Sequence, residues 1–356
     1  MDSTGRAGMS ARTLRSVDDL AAGALIPRDR IEALGGVAKR YAVAITPAMA
    51  DLFDDDDPRD PIALQFIPDE RELDTSPQES GDPIGDKRHS PVEGIVHRHR
   101  NRVLLKIVHI CPVYCRFCFR REMVGPEREP SLSPDAITAA IGYIAGHNEI
   151  AEVIFTGGDP FILTARRVSE LTQRCAAIQH VKILRWHTRV PVVDPARVTP
   201  EFVAALQATP KATFVALHAN HPREFTAAGR QAIARLVEAG IPMLSQSVLL
   251  KGINDDVATL AELMNCFVEN RIKPYYLHHA DLAPGTSHFR TTIADGQRLM
   301  RELRRSVSGP ALPAYVLDIP GGYAKVNLES DALERSSDGA IRVRDDDGIW
   351  HAYSAE

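Results

Sequence analysis

The chain has 356 residues, of which 44% are hydrophobic, enough to bury the core of one large α/β domain with an accessory segment. Its 42 basic residues against 47 acidic ones leave a net charge of −5, so no overall field draws it to nucleic acid or to an anionic membrane surface. No apolar run reaches the roughly 18 residues of a membrane span, and Met1 to Leu14 lacks the apolar core of a secretion signal, so cytoplasmic small-molecule chemistry is the expectation.

Residues 1–15 carry no apolar periodicity and are read as disordered, ahead of an accessory segment over 16–95. Within that segment, apolar residues at Val17, Leu20, Leu25, Ile31, Leu34 and Val37 fit one or two short helices around Pro27. From Asp54 to Pro91, six prolines and the acidic run Asp54 to Asp57 replace long apolar stretches, which suggests an extended segment lying over a body supplied elsewhere.

The body spans 96–310. Strands are expected at Val103–His109, Ala151–Phe155, Val181–Trp186, Ala212–Leu217, Met243–Leu249 and Lys273–Leu277. Helical patterns lie between them, such as the one from Ser133-Pro134 to about Asn148. Alternation at this spacing implies parallel βαβ units. Polar residues punctuate the C-terminal strand ends at His109, Gly157 to Asp159, His187 to Arg189, His218, Gln246 with Ser247, and His278 with His279. Groups from so many strand ends meet only if the sheet curves round a common centre. The expected fold class is therefore α/β, a partial (β/α)6 barrel of the TIM type rather than a flat open sheet. An extension over 311–356 carries a short strand at Ala314–Leu317, the segment Asp318 to Lys325, and a hairpin around Asp345-Asp-Asp-Gly348.

Three of the five cysteines crowd into Cys111-Pro-Val-Tyr-Cys115-Arg-Phe-Cys118, directly after the first barrel strand. Cys175 and Cys266 fall inside apolar helical patterns and read as small buried hydrophobes. Three thiolates can hold three irons of a four-iron cluster and leave the fourth open for chemistry, whereas electron-carrier clusters and structural zinc sites take four protein ligands. A zinc site completed by His109 or by a distant residue is the other reading of this spacing. At the end of the second strand, Thr156-Gly157-Gly158-Asp159 permits close backbone approach, and Asp159 either holds a cation or caps the next helix. Lys325 follows Pro320-Gly-Gly322, where a lysine can join an aldehyde cofactor such as pyridoxal 5'-phosphate or simply decorate a surface turn.

In company these segments carry a resemblance. The cysteine loop with its aromatic before Cys118 and the glycine motif at Gly157-Gly158-Asp159 are similar to those of radical S-adenosylmethionine enzymes. With His97-Arg98 to Arg102, Arg120-Arg121, Thr188-Arg-Val-Pro-Val192, His218, His221-Pro222, Asp281, His288-Phe-Arg290 and Asp318 to Lys325, the chain from about Tyr41 through Lys325 resembles the lysine 2,3-aminomutase family. The resemblance implies a [4Fe-4S] cluster on Cys111, Cys115 and Cys118, with S-adenosyl-L-methionine at its open iron and near Gly157, Gly158, Asp159, His218 and Gln246. It further implies pyridoxal 5'-phosphate on Lys325, with Arg98 and Arg102 serving the phosphate. Arg120 would take the substrate carboxylate, and Asp281 and Asp318 the ε-ammonium of L-lysine. The seven-residue separation of Asp318 from Lys325 is expected to place that carboxylate at the far end of the substrate from the lysine. The accessory segment is expected to cover the barrel mouth.

The implied activity is conversion of L-lysine to β-lysine by 1,2-amino migration, with a reductant protein such as flavodoxin or ferredoxin as partner. Two departures stand out: no cysteine follows Cys266, so the C-terminal zinc of longer members is not expected here, and His99 stands where they usually have a tyrosine. The short form is reminiscent of aminomutases that supply β-lysine for modification of elongation factor P, whereas the run Asp318-Ile-Pro-Gly-Gly322 resembles the catabolic and biosynthetic members, so both pathways stay open. The alternatives are a 2,3-aminomutase for another cationic amino acid such as arginine, a cluster enzyme without pyridoxal phosphate, and a non-catalytic iron-sulfur or zinc protein.

Overall fold

The structure, a computed structural model, describes residues 12–126, 129–329, 333–335, 341–344 and 349–353. Ser16 opens the first helix, α1 (Val17–Ala22), through a capping box with Asp19, and α2 (Ile31–Arg40) buries Leu34 and Val37. After the short α3 (Pro47–Ala50), the proline-rich stretch forms loops and single 3-10 turns at Ala63–Gln65, Glu70–Leu73 and Lys87–His89. Leu14 bridges Ile45, so the part of the N-terminal stretch that is described is tied down by backbone pairing; residues 1–11 lie outside the described residues.

The body follows in the order β1 (Ile95–His99), β2 (Arg102–Val108), α4 (Pro134–Ala145), β3 (Glu152–Gly157), α5 (Ala165–Ala176), β4 (Ile183–Thr188), α6 (Val190–Val193), α7 (Pro200–Leu206) and β5 (Ala212–His218). It continues with α8 (Ala227–Glu238), β6 (Met243–Leu249), α9 (Val257–Glu269), β7 (Ile272–His279), α10 (Ile293–Ser306), β8 (Ala314–Asp318) and β9 (Lys325–Asn327). These nine strands form one sheet in chain order. Strands β2 to β8 are parallel, and β1 and β9 close the two edges antiparallel. The six expected parallel strands are all present, and the sheet runs one strand further because Ala314–Asp318 joins β7 in parallel. The strand β1 carries no apolar alternation beyond Ile95 and Val96, which hid it in the sequence.

One face of the sheet is covered by helices. Val103, Leu105 and Ile107 of β2, Phe155 of β3, Trp186 of β4 and Leu217 of β5 join Leu171 of α5 and Leu263 and Phe267 of α9 in the main core. Phe155 stacks on Trp186 with ring centroids 3.9 Å apart. Period-two alternation then turns Lys106, Thr156, His187, His218 and His278 to the other, concave face. The sheet curls far enough that Arg98 on β1 comes within 3.6 Å of Asp318 on β8, bringing its two edges together. The C-terminal strands β10 (Leu333–Arg335), β11 (Ile341–Arg344) and β12 (Trp350–Tyr353) pair antiparallel; the expected turn at 345–348 lies outside the described residues.

Candidate active site

Cys111, Cys115 and Cys118 lie in the loop after β2 and share one pocket, partly open to solvent, with Tyr41, Ala42, Tyr114, Arg116 and Arg121 among its walls. Burial raises all three thiols; Asp159 and then the neighbouring cysteines add to this at Cys111, Cys115 adds to it at Cys118, and Cys118 is pushed up to about 11. Thiols so placed ionise only with a cation at hand, which suits a cluster of iron. Among the described residues no group of three or more His, Cys, Asp or Glu is set to hold a single metal ion. A four-iron cluster asks for a different spacing, because each thiolate bonds its own iron. His109, considered above as a zinc ligand, turns its Nδ1 to the Glu129 carbonyl at 3.0 Å.

The accessory segment braces this loop. Glu72 is fully buried and receives Arg116 Nε at 2.9 Å together with Arg121, while Arg116 N donates to the Gln65 carbonyl at 2.8 Å and Tyr114 N to Ala44 O at 3.0 Å. Arg121 also lies over the Tyr41 ring at 3.5 Å. From the barrel side, Arg189 donates to Cys115 Sγ at 2.8 Å and pairs with the buried Glu224 at 2.8 Å. Phe117 stacks on His218 of β5 at 5.7 Å, and His218 lies opposite Gln246 in the ladder. The Nε2 of His218 has no hydrogen-bond partner among the described residues, which leaves a buried polar atom for a ligand beside the cysteines.

Gly157 and Gly158 press the end of β3 against the lead-in to the cysteines. A Cβ on Gly157, at φ +113°, would meet Val108 O at 2.3 Å, and one on Gly158 would meet Ile110 O at 2.2 Å. Asp159, by contrast, spends its carboxylate inside the protein: it accepts from Phe161 N at 3.0 Å, Thr188 Oγ1 at 2.8 Å and Arg189 N at 2.7 Å. Of the two readings open for Asp159, the geometry is that of the cap, with a tie to β4 added.

A second cluster gathers around Lys325. Asp318 and Lys325 face each other as Cα partners of the β8–β9 hairpin, and their side chains form an ion pair. This corrects the expected separation: the turn Ile319 to Ala324 folds the chain back, so the two groups touch instead of standing a substrate's length apart. Lys325 Nζ also lies 3.4 Å from His278 Nδ1 and 5.1 Å from the centre of the Tyr276 ring. Burial alone would raise Asp318, but the His278 imidazole 3.6 Å away and the Lys325 charge outweigh it and hold the carboxyl well below the usual range. Asp281 goes the other way, pushed up to about 7 by burial and by Asp318, against the pull of Lys325, Arg120 and Arg98. Arg102 starts β2 opposite His99 and contacts Asn101 at 3.3 Å; its charge and that of Arg98, after burial, depress His99 to about 4.

Asp86 joins the two arginines and was not found in the sequence. It is wholly buried, accepts from Arg120 Nε at 3.1 Å and Arg98 Nη2 at 3.2 Å, and lies 3.9 Å from Lys106 Nζ. Its loop packs against the Pro-Gly-Gly turn, where Gly321 N donates to Pro83 O at 3.1 Å. Nothing local marks it, because it sits in a loop-rich stretch and its three partners lie 12, 20 and 34 positions further on. Thus Arg98, Arg120, Asp281, Asp318 and Lys325 converge at one end of the barrel, Gly157, Gly158, His218 and Gln246 flank the cysteines, and Asp159 is engaged elsewhere.

Comparison with known proteins gives the family to which the chain is similar. Residues 105–264 match the radical SAM superfamily model. The chain is 35% identical over 341 residues to the L-lysine 2,3-aminomutase of Clostridium subterminale, covering 96% of this chain and 82% of that one. It is 39% identical over 288 residues to a putative L-lysine 2,3-aminomutase of Aquifex aeolicus, covering 81% and 78%. It is 35% identical over 291 residues to the L-lysine 2,3-aminomutase of Escherichia coli, covering 82% and 84%.

Proposed function

The chain belongs to the L-lysine 2,3-aminomutase family of radical S-adenosylmethionine enzymes, and from that premise we propose that it converts L-lysine to β-lysine by moving the α-amino group to the β carbon. The observation that carries the substrate class is the pair Asp281 and Asp318 facing Lys325 inside the barrel. Two buried acids are tolerated where a cation balances them, and a cationic side chain of the substrate does so once Lys325 is engaged.

Cys111, Cys115 and Cys118 would hold a [4Fe-4S] cluster, Lys325 would hold pyridoxal phosphate, and Arg98 and Arg102 would face its phosphate. When bound, the cluster with S-adenosylmethionine supplies a carbon radical, and pyridoxal phosphate supplies a conjugated ring that spreads unpaired spin. The remaining work falls to the chain. Gly157 and Gly158 keep β3 close to the cysteine loop, and His218 and Gln246 offer polar atoms toward S-adenosylmethionine. Arg120, its Nε held by Asp86 at 3.1 Å, presents the rest of its guanidinium to the substrate carboxylate. With Lys325 drawn off Asp318 to the cofactor, Asp281 and Asp318 hold the distal ammonium, which fixes the β carbon relative to the radical source. Glu72, Gln65 and Asp86 pack the accessory segment over the cysteines and the Lys325 hairpin, an arrangement suited to keeping water from reactive species. The electron enters from a reductant protein such as flavodoxin or ferredoxin.

Anaerobic reconstitution with iron, sulfide and pyridoxal phosphate, followed by product identification from L-lysine with reductant and S-adenosylmethionine, tests the reading. β-Lysine is the expected product; β-arginine from L-arginine with none from L-lysine would overturn the substrate. A pyridoxal absorbance that persists in Lys325→Ala would overturn the role of Lys325.

A further inference from the structure

We propose that His187 is a further substrate-binding residue, donating a hydrogen bond from its imidazole to the carboxylate of the amino acid beside Arg120. The inference rests on the aminomutase reading and extends it to a residue on β4. His187 follows Trp186, which is buried among the helices on the outer face, so alternation along the strand turns the imidazole to the concave face. There its Nε2 is shielded from solvent and has no hydrogen-bond partner among the described residues. A buried ring nitrogen left unpaired is costly, and a native site recovers that cost when a ligand supplies the partner.

The surroundings select the ligand. Burial first, and then the charges of Arg185, Arg120, His278 and Lys325, keep the imidazole neutral. With cations around it, the tautomer that carries its proton on Nε2 complements an anionic oxygen, since a further ammonium there would add to the positive charge. Two of those cations are already matched, Arg185 by Glu152 at 3.0 Å and Lys325 by Asp318. Arg120 is only partly matched, with Nε on Asp86 and Nη1 at a marginal 3.5 Å from Thr156 Oγ1. An anion between Arg120 and His187 satisfies both. The arginines assigned to the cofactor phosphate stand on β1 and at the start of β2, with β3 between β2 and β4, which favours the amino-acid carboxylate as the source of the oxygen.

The test compares wild type, His187→Ala and His187→Gln as reconstituted enzymes, the glutamine variant keeping an N–H donor. Amino-acid binding is read from the change in pyridoxal absorbance on adding L-lysine or L-lysinamide, and KM, kcat and pyridoxal phosphate affinity are measured beside it. His187→Ala is expected to weaken L-lysine binding and raise KM by about ten- to a hundred-fold, with kcat and pyridoxal phosphate affinity within about threefold. The preference for L-lysine over L-lysinamide should shrink in parallel, and His187→Gln should recover most of it. An unchanged preference in both variants overturns the proposal, as does a loss confined to pyridoxal phosphate affinity, which would assign the oxygen to the cofactor. If wild type binds L-lysine but makes no β-lysine, the proposed function fails, while the absorbance arm still decides His187.

Discussion

Asp281 and Asp318 repel each other, yet they titrate in opposite directions because only Asp318 has Lys325 and His278 as direct partners. Asp281 is left to burial and to its neighbour's charge, and its carboxyl rises to about 7. A cationic substrate needs that carboxyl ionised. On the acid limb kcat/KM for L-lysine should therefore rise about tenfold per pH unit and level off above about 7, which a pH profile checks. Asp281→Asn should remove the inflection and raise KM. The same group acts on stability with a fixed sign. Its native value lies above the value near 3.9 of an unfolded chain, so its stabilising contribution is complete below that value and is lost as pH rises through about 7. The ligand-free wild type should melt at progressively lower temperature between about pH 4 and pH 7 and level off above that, and Asp281→Asn should flatten that trend.

Among the elements, the cysteine loop is local in sequence but its support is not. Three cysteines within eight residues announce themselves by spacing, whereas Glu72 is one acid in a proline-rich stretch and becomes informative only when the fold brings Arg116 and Arg121 to it. The glycines of β3 were legible for a general reason, close approach, and the structure supplies the partner, the carbonyls of Val108 and Ile110. Asp159 was ambiguous because a cap and a ligand use the same carboxylate, and only Thr188 and Arg189 from β4 decide between them. Removing the charge of Glu72 leaves two buried arginines without their counter-ion, so Glu72→Gln should destabilise the protein by about 3–5 kcal/mol. The loss should be visible in urea unfolding and in a lowered iron content after reconstitution. Gly158→Ala tests the other wall: its methyl group would overlap Ile110 O at 2.2 Å, and the shift that follows should lower iron content while α4 to α9 keep their helical signal.

At the scale of the whole molecule, six strands and their helices were readable from alternation, and curvature followed from polar residues at the strand ends. The closing of the edges was not readable, because it depends on Arg98 of β1 meeting Asp318 of β8 across the curl, and on a loop residue between them. Asp86 is that residue. It ties three parts of the chain together: its own loop in the accessory segment, Arg98, Lys106 and Arg120 in the barrel, and, through Arg98 and the Gly321 contact, the hairpin that carries Lys325. Burial already lowers Lys106, with Asp86 as the opposing influence, so taking Asp86 away leaves three cations crowded together without that support. Asp86→Asn should therefore cost about 3–5 kcal/mol and loosen both halves of the site together. Hydrogen exchange should quicken in 82–90 and in 318–325 at once, pyridoxal phosphate affinity and KM for L-lysine should worsen in the same variant, and Asp86→Glu should restore part of each. Faster exchange confined to 82–90, with both affinities intact, would show the three parts to be independent and would remove Asp86 from the account of how the edges close.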